Sequence, residues 1–405
     1  MNILYILQQS IYNKKNKWLT ADSNVNMMAG MLRQVTRLRP DWNFYILIGK
    51  LKDFADITSY DEIFNHPNVH FIEYDFPVDA FLNRQHFDVK KFHTMWKKLP
   101  EINLVWNNIT ELSRNIKTYL VRVNSDAKLI TTCYWLDAPE VGQEKVDRSI
   151  SYDWRQFDGF ECSDLALFTC ASTANVWKIN ASAKFKHAYI NKILMKGKIW
   201  DFGYSEEELH SHIENIESEK KTILFLNRLS GINYTHHEEF IEALHLLKEM
   251  REDDWQVVMT NPSQKFSVKE LKERVPNLWL YEDGKSLNRK QYANLLMIGD
   301  ISVHLFEKEL YGGCSNVEAL AMNNICIMPK INEYKKRAKR RYPGFIKKVE
   351  PKEIALTLNK VLNMIDKNSG KLNKHIKYSK NYVYRNSSFE VISKKVVEDI
   401  ESLWE

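Results

Sequence analysis

A chain of 405 residues with 44% hydrophobic and 27% charged content is long enough for two separate cores and has the composition of an ordinary globular protein. No apolar run approaches the roughly 18–20 residues that a membrane-spanning helix needs. The opening MNILYILQQS is short and lacks the basic start of a secretory leader, so a cytoplasmic protein is expected. The formal charge of +6 does not by itself argue for a polyanionic partner, and the five cysteines, Cys133, Cys162, Cys170, Cys314 and Cys326, lack the paired C-x-x-C spacing of a zinc site and the even count of a disulfide framework.

The first apolar run, ILYIL at 3–7, reads as a strand buried in a parallel sheet. Asp22 or Ser23 then opens a helix with Val25, Met28, Leu32 and Val35 at helical spacing, and Pro40 follows its end. Strands are predicted at 44–49, 69–74, 102–106, 128–136, 166–170 and 187–190, with helices near 88–98 and 111–123 between them. Strands alternating with helices define a doubly wound α/β sheet, in which ligands bind beyond the carboxyl ends of the strands. The loops to inspect there carry Gln8 to Lys17, Asn107 and Asn108, Asp137 to Glu140, and Ala171 to Thr173.

Between about 200 and 220 the sequence turns strongly charged, which suits a linker with a short helix. A second α/β unit follows, with strands at 222–230, 255–260, 278–283 and 300–306 and helices at about 236–250, 267–274 and 288–297. The final amphipathic stretch, about 388–404, carries Phe389, Ile392, Val396, Ile400 and Leu403 on one helical face and needs a partner surface.

The passage ELYGGCSNVEALAMNNICI at 309–327 reads as loop, helix, strand. A turn at Gly312 and Gly313 lets backbone approach a ligand closely, and Ser315 and Asn316 follow where a helix begins, with unpaired N–H groups and a positive dipole end. Such a tip binds anions, and Glu318, one turn on, could accept hydrogen bonds from a pair of sugar hydroxyls. The passage resembles the nucleotide-sugar loop of GT-B glycosyltransferases, above all the mostly retaining clan that includes glycogen and sucrose synthases. That clan carries two glutamates separated by seven residues. Glu318 fits the second, ribose-binding position, while Glu309, separated from it by eight residues, stands nearest the first, with Glu307 and Tyr311 as further sugar contacts.

The resemblance implies a fold of two doubly wound parallel-sheet domains facing across a cleft. It implies an acceptor-binding domain over 1–200, a nucleotide-sugar domain over 201–379, and a C-terminal helix over 380–405 that returns to the first domain. It also implies a UDP-sugar donor and a phosphate contact from Arg228, which follows a buried strand; the Lys that follows a few residues later in the family is replaced within GINYTHH by Asn233, Thr235 or His236. Without a D-x-D triplet, the leaving-group charge falls to Arg228 and a helix N-terminus rather than to a metal. Neither His210 with His212 nor His236 with His237 has the ligand cluster of a metal site.

Asp137, in CYWLDAPE after an apolar strand, could accept or orient the proton of an acceptor hydroxyl, or could simply cap a helix. The order INLVWNNITELSRNIKTYLVRV then LITTCYWLDAPE is similar to the corresponding part of the T-even phage DNA α-glucosyltransferases, which carry an Asp at that place. Their resemblance implies an acceptor of DNA with hydroxymethylated bases and a phage source, and the few glycines with abundant Asn, Lys and Ile suit an AT-rich coding source. A glycan, a lipid-linked sugar or modified RNA remains open as acceptor, as does a GT-B protein that binds without catalysis.

One segment, KKRAKRRYPGFIKK at 335–348, concentrates eight Lys or Arg and no acid. Lys335, Lys336, Arg337, Lys339, Arg340, Arg341, Lys347 and Lys348 could track a phosphate backbone, with Tyr342 and Phe345 stacking on bases. A solvated surface or a patch for anionic lipid would read the same way. KKFHTMWKKL at 90–99 is a second, weaker candidate.

Overall fold

The structure, a computed structural model, describes residues 1–7, 23–48, 65–74, 86–133, 136, 152–211, 214, 218–227, 235–260, 266–279, 287–307 and 313–405. The chain divides into two compact units, Met1–Gly203 with Phe389–Glu405, and Tyr204–Ser388.

The first unit is built on β1 (Asn2–Ile6), α1 (Ser23–Leu38), β2 (Asn43–Ile48), β3 (Val69–Glu73), α2 (Val89–Trp96), β4 (Leu104–Asn107), α3 (Ser113–Arg122), β5 (Lys128–Cys133), α4 (Tyr152–Cys162), β6 (Leu165–Phe168), α5 (Ala171–Ser182), α6 (His187–Met195) and β7 (Gly197–Ile199). The described strands form one parallel sheet in the order β3-β2-β1-β4-β5-β6-β7. A sheet covered on both faces needs strands apolar throughout, and β4 and β6 are buried at every position. Helix starts follow local chemistry: Asp88 caps α2 by accepting from the Lys91 N–H at 3.0 Å.

The predicted strand at 187–190 is a helix instead, α6, and the last strand is β7. Ile190 and Ile193 are its buried residues, one turn apart, a helical spacing that a four-residue window cannot separate from a strand.

In the second unit come α7 (Glu206–Ser211), β8 (Lys221–Phe225), α8 (His237–Met250), β9 (Trp255–Met259), α9 (Val268–Arg274), α10 (Arg289–Ile298), β10 (Ile301–Val303), α11 (Cys314–Ala321), β11 (Ile325–Pro329), α12 (Asn332–Arg337), β12 (Phe345–Ile346), α13 (Pro351–Asp366) and α14 (Gly370–Ser387). Its described strands are again parallel, in the order β12-β11-β10-β8-β9. Reciprocal capping boxes start α9 (Ser267 with Glu270) and α10 (Asn288 with Gln291). From the predicted strand at 278–283, Leu278 makes a parallel bridge with Val257; residues 280–283 lie outside the described set. Helix α14 runs unbroken through residue 380.

The last helix, α15 (Phe389–Glu401), lies in the first unit, as the resemblance implied, and its apolar stripe finds its partner there. Phe389, Ile392, Val396 and Ile400 join one core cluster with Val25, Met28 and Leu32 of α1. Two glycines make room for the leading ring: a Cβ on Gly30 or on Gly203 would stand 2.0 or 2.1 Å from atoms of Phe389. Phe389→Ala is expected to destabilise the first unit by about 3–5 kcal/mol and Gly30→Ala by about 1–3 kcal/mol, read by urea unfolding followed through core tryptophan fluorescence.

Candidate nucleotide-sugar site

The carboxyl edge of the second sheet collects the polar residues. Asn227, just beyond β8, donates from Nδ2 to the Val303 carbonyl at 2.9 Å and so ties the ends of β8 and β10 together. His304, the first residue after β10, is buried with its Nε2 2.9 Å from Ser302 Oγ. Burial pushes its pKa down to about 3, and Arg337 adds to the shift, so the ring is neutral at physiological pH. His236 has a left-handed backbone (φ 54°) at the start of α8. Its Nδ1 lies 3.2 Å from Glu239 and its Nε2 3.5 Å from Glu307, which joins the start of α8 to the segment after β10.

Gly313 precedes α11 with φ 55°, a conformation that favours glycine, and its carbonyl accepts the Val317 N–H at 3.3 Å. The first N–H groups of α11 therefore follow a glycine turn, as the sequence suggested for Ser315 and Asn316. The Asn316 side chain points the other way: it is fully buried, and its Oδ1 accepts from Arg337 Nη1 at 3.1 Å. Any anion contact at Asn316 is left to its backbone.

Glu318 is 6% exposed and sits in a charge cluster that sequence reasoning missed. Arg289, the first residue of α10, approaches it at 2.6 Å and also reaches Glu208 of α7 at 3.2 Å. Burial works against the Arg289 charge, but the two carboxylates outweigh it and hold its pKa above the ordinary range. The neighbouring Tyr292 phenol is pushed up by burial and further by Glu318. A carboxylate held from one side keeps further lone pairs for hydroxyl donors. Only the acidic composition of 206–208 hinted at this cluster, because Arg289 lies 29 residues before Glu318.

Asp137, Arg228, Glu309, Tyr311 and Gly312 lie outside the described residues, as does Asn233. Two readings of the basic segment need correction. Arg337 is fully buried against Asn316, and Tyr342 is 4% exposed with its hydroxyl accepting the Cys326 N–H at 2.7 Å, so neither side chain belongs to an external surface. Lys335, Lys336, Lys339, Arg340, Arg341, Lys347 and Lys348 are exposed. His237 is also fully buried. A cavity of about 450 Å³ lies at the other end of the sheet, lined by Gly299, Asp300, Asn323 and Ser369 among others, away from Glu318.

Two parallel α/β units, with an N-terminal unit reclaiming the last helix, define a GT-B fold. Residues 206–381 match the family model described as Glycosyl transferases group 1. Among solved structures, the chain is similar to Anabaena HepE in complex with UDP, at 12% identity and TM-score 0.68 over 99% of this chain and 100% of that one. It is similar to sucrose-phosphate synthase from Thermosynechococcus elongatus at 13% identity and TM-score 0.67, over 100% and 99%. A glycosyltransferase from Rickettsia africae aligns at 14% identity and TM-score 0.65, over 100% and 98%. No curated protein matched the sequence.

Removing Arg289 would leave the buried Glu318 and the half-buried Glu208 without their shared cation. Arg289→Met is expected to cost about 3–5 kcal/mol of stability in the second unit, and Glu208→Gln less, since Glu318 keeps its partner. Thermal unfolding of the two variants checks the order; equal stability of Arg289→Met and wild type would show that the cluster does not form.

Proposed function

We propose that the protein is a glycosyltransferase that takes a sugar from a nucleoside-diphosphate donor, UDP-linked, and passes it to an acceptor hydroxyl. The observation that carries the reading is the group 1 domain match over 206–381, which contains the Gly313 turn, the α11 tip and the buried Glu318. HepE, whose fold this chain shares, was crystallised with UDP and with UDP-glucose, which supports a uridine donor.

In this reading the second unit holds the donor. Glu318 takes the ribose hydroxyls, while backbone N–H groups at Ser315 and Asn316 receive the diphosphate with Arg228. Glu309 reaches the transferred sugar. The anomeric carbon–oxygen bond to the diphosphate breaks, and the leaving charge is neutralised without a metal. The first unit presents the acceptor hydroxyl, whose proton passes to Asp137 as the new glycosidic bond forms. Retention of anomeric configuration follows the resemblance to the glycogen synthase clan.

The acceptor we favour is DNA carrying a hydroxymethylated base, extruded from the duplex to reach the site. The exposed Lys and Arg residues between 335 and 348 support a polyanionic acceptor. Incubation with labelled UDP-sugars and hydroxymethylated, methylated or unmodified DNA tests this: transfer to the first alone is expected. Transfer to a glycan, lipid-linked sugar or RNA instead would replace the DNA acceptor, and donor binding without turnover would remove the enzyme. Glu318→Ala and Arg228→Ala are expected to raise the donor KM tenfold or more, whereas Asp137→Asn lowers kcat by about 10²-fold or more.

A further inference from the structure

Packing adds a second basic element that the sequence reading left out. Helix α14, Gly370–Ser387, contains Lys371, Lys374, Lys377, Lys380 and Arg385 and no acid. Its buried side, Leu372, His375, Ser379, Val383 and Ser387, recurs every three or four residues and fixes the helix to the unit. The opposite side exposes Lys371, Lys374, Lys377, Tyr378, Tyr384 and Arg385. Lys380 pairs with Glu206 at 2.9 Å, whereas the other four cations have no ion pair among the described residues.

The two acid-free segments are adjacent. Lys339 Nζ stands 4.9 Å from the Tyr378 ring centroid, and the Tyr342 and His375 rings meet at 5.8 Å. Lys360, from α13, reaches the Pro343 carbonyl at 3.3 Å on the same segment. Toward the other end the charge is offset: Lys348 lies 3.5 Å from Glu350, and Glu353 accepts the N–H groups of Lys347 and Lys348. Lys336 pairs with Glu333, and Arg337 is internal. The uncompensated charge thus shifts from the segment 335–348 as a whole to Lys339, Arg340 and Arg341 together with the outer face of α14.

We propose that Lys339, Arg340 and Arg341 with Lys371, Lys374 and Lys377 form one continuous surface that binds the phosphate backbone of a nucleic acid, with Tyr378 and Tyr384 beside it. Several uncompensated cations on one face supply sequence-independent affinity, and exposed tyrosines offer stacking platforms for unpaired bases. A helix that lay on a membrane would expose large aliphatic groups between its lysines, whereas this face presents Tyr, Asn and Lys. The proposal deepens the DNA-acceptor reading and rests on it for its biological meaning, yet the two fail separately, because backbone binding needs neither a modified base nor a sugar donor.

The test is fluorescence anisotropy of the full chain with a labelled, unmodified 30-base-pair duplex across a salt series. Wild type is expected to bind with an affinity that falls steeply with salt. The charge-reversed variant K371E/K374E/K377E is expected to bind at least tenfold more weakly, with a log–log salt slope reduced by about 0.9 per lost phosphate contact. K371R/K374R/K377R keeps the slope, which separates charge from helix damage, and circular dichroism melting checks that each variant is folded. Unchanged affinity and slope in the folded K371E/K374E/K377E variant would overturn the proposal. So would absent duplex binding alongside salt-sensitive binding to vesicles containing phosphatidylserine. Intact duplex binding without sugar transfer to hydroxymethylated DNA would leave this surface standing and remove only the acceptor reading.

Discussion

A carboxylate buried one turn inside a helix that starts beside a glycine turn cannot stand alone in a low-dielectric site. Glu318 is paired with Arg289, which Glu208 in turn holds, so three elements distant in sequence, α7, α10 and α11, are fastened around one acidic group. Burying an ion pair is a weak route to stability, since desolvation of both partners offsets most of their attraction. What the arrangement gives is a fixed acceptor for hydroxyl donors within a turn of the N–H groups at the α11 tip. The tie between Asn227 and Val303 and the link from His236 to Glu307 gather the rest of the polar edge around the same strand ends.

The architecture was legible because buried parallel strands are short apolar runs and their intervening helices keep a 3.6-residue period. The apolar stripe on 388–404 announced an unpaired helix, and the core it joins explains each of its large residues. The error at 187–190 came from a short apolar run whose length did not separate a strand from a helix turn. Helices α13 and α14 were not read from the sequence at all, and they carry much of the cover on the second unit.

The site was legible only where its chemistry is local. Gly313, Ser315, Asn316 and Glu318 fall within six residues, so turn, helix tip and carboxylate could be read together. Arg289 and Glu208 could not, because their roles arise when α7 and α10 are folded against α11. The basic segment shows the reverse failure. Eight cations in fourteen residues read as one surface, yet α12 buries Arg337 against Asn316, and Tyr342 turns inward to hold the Cys326 backbone. Charge composition is a local property; which charges meet solvent is a property of packing.

If the account is right, the second unit binds a uridine diphosphate with its ribose on Glu318 and its phosphates on the tip of α11. A crystal of the protein soaked with UDP tests this most directly. The expected density places the ribose hydroxyls within hydrogen-bond distance of the Glu318 carboxylate, with the diphosphate at the N–H groups following Gly313 and beside Arg228. Nucleotide bound elsewhere in the second unit, with Glu318 still closed on Arg289 and out of its reach, would contradict the account.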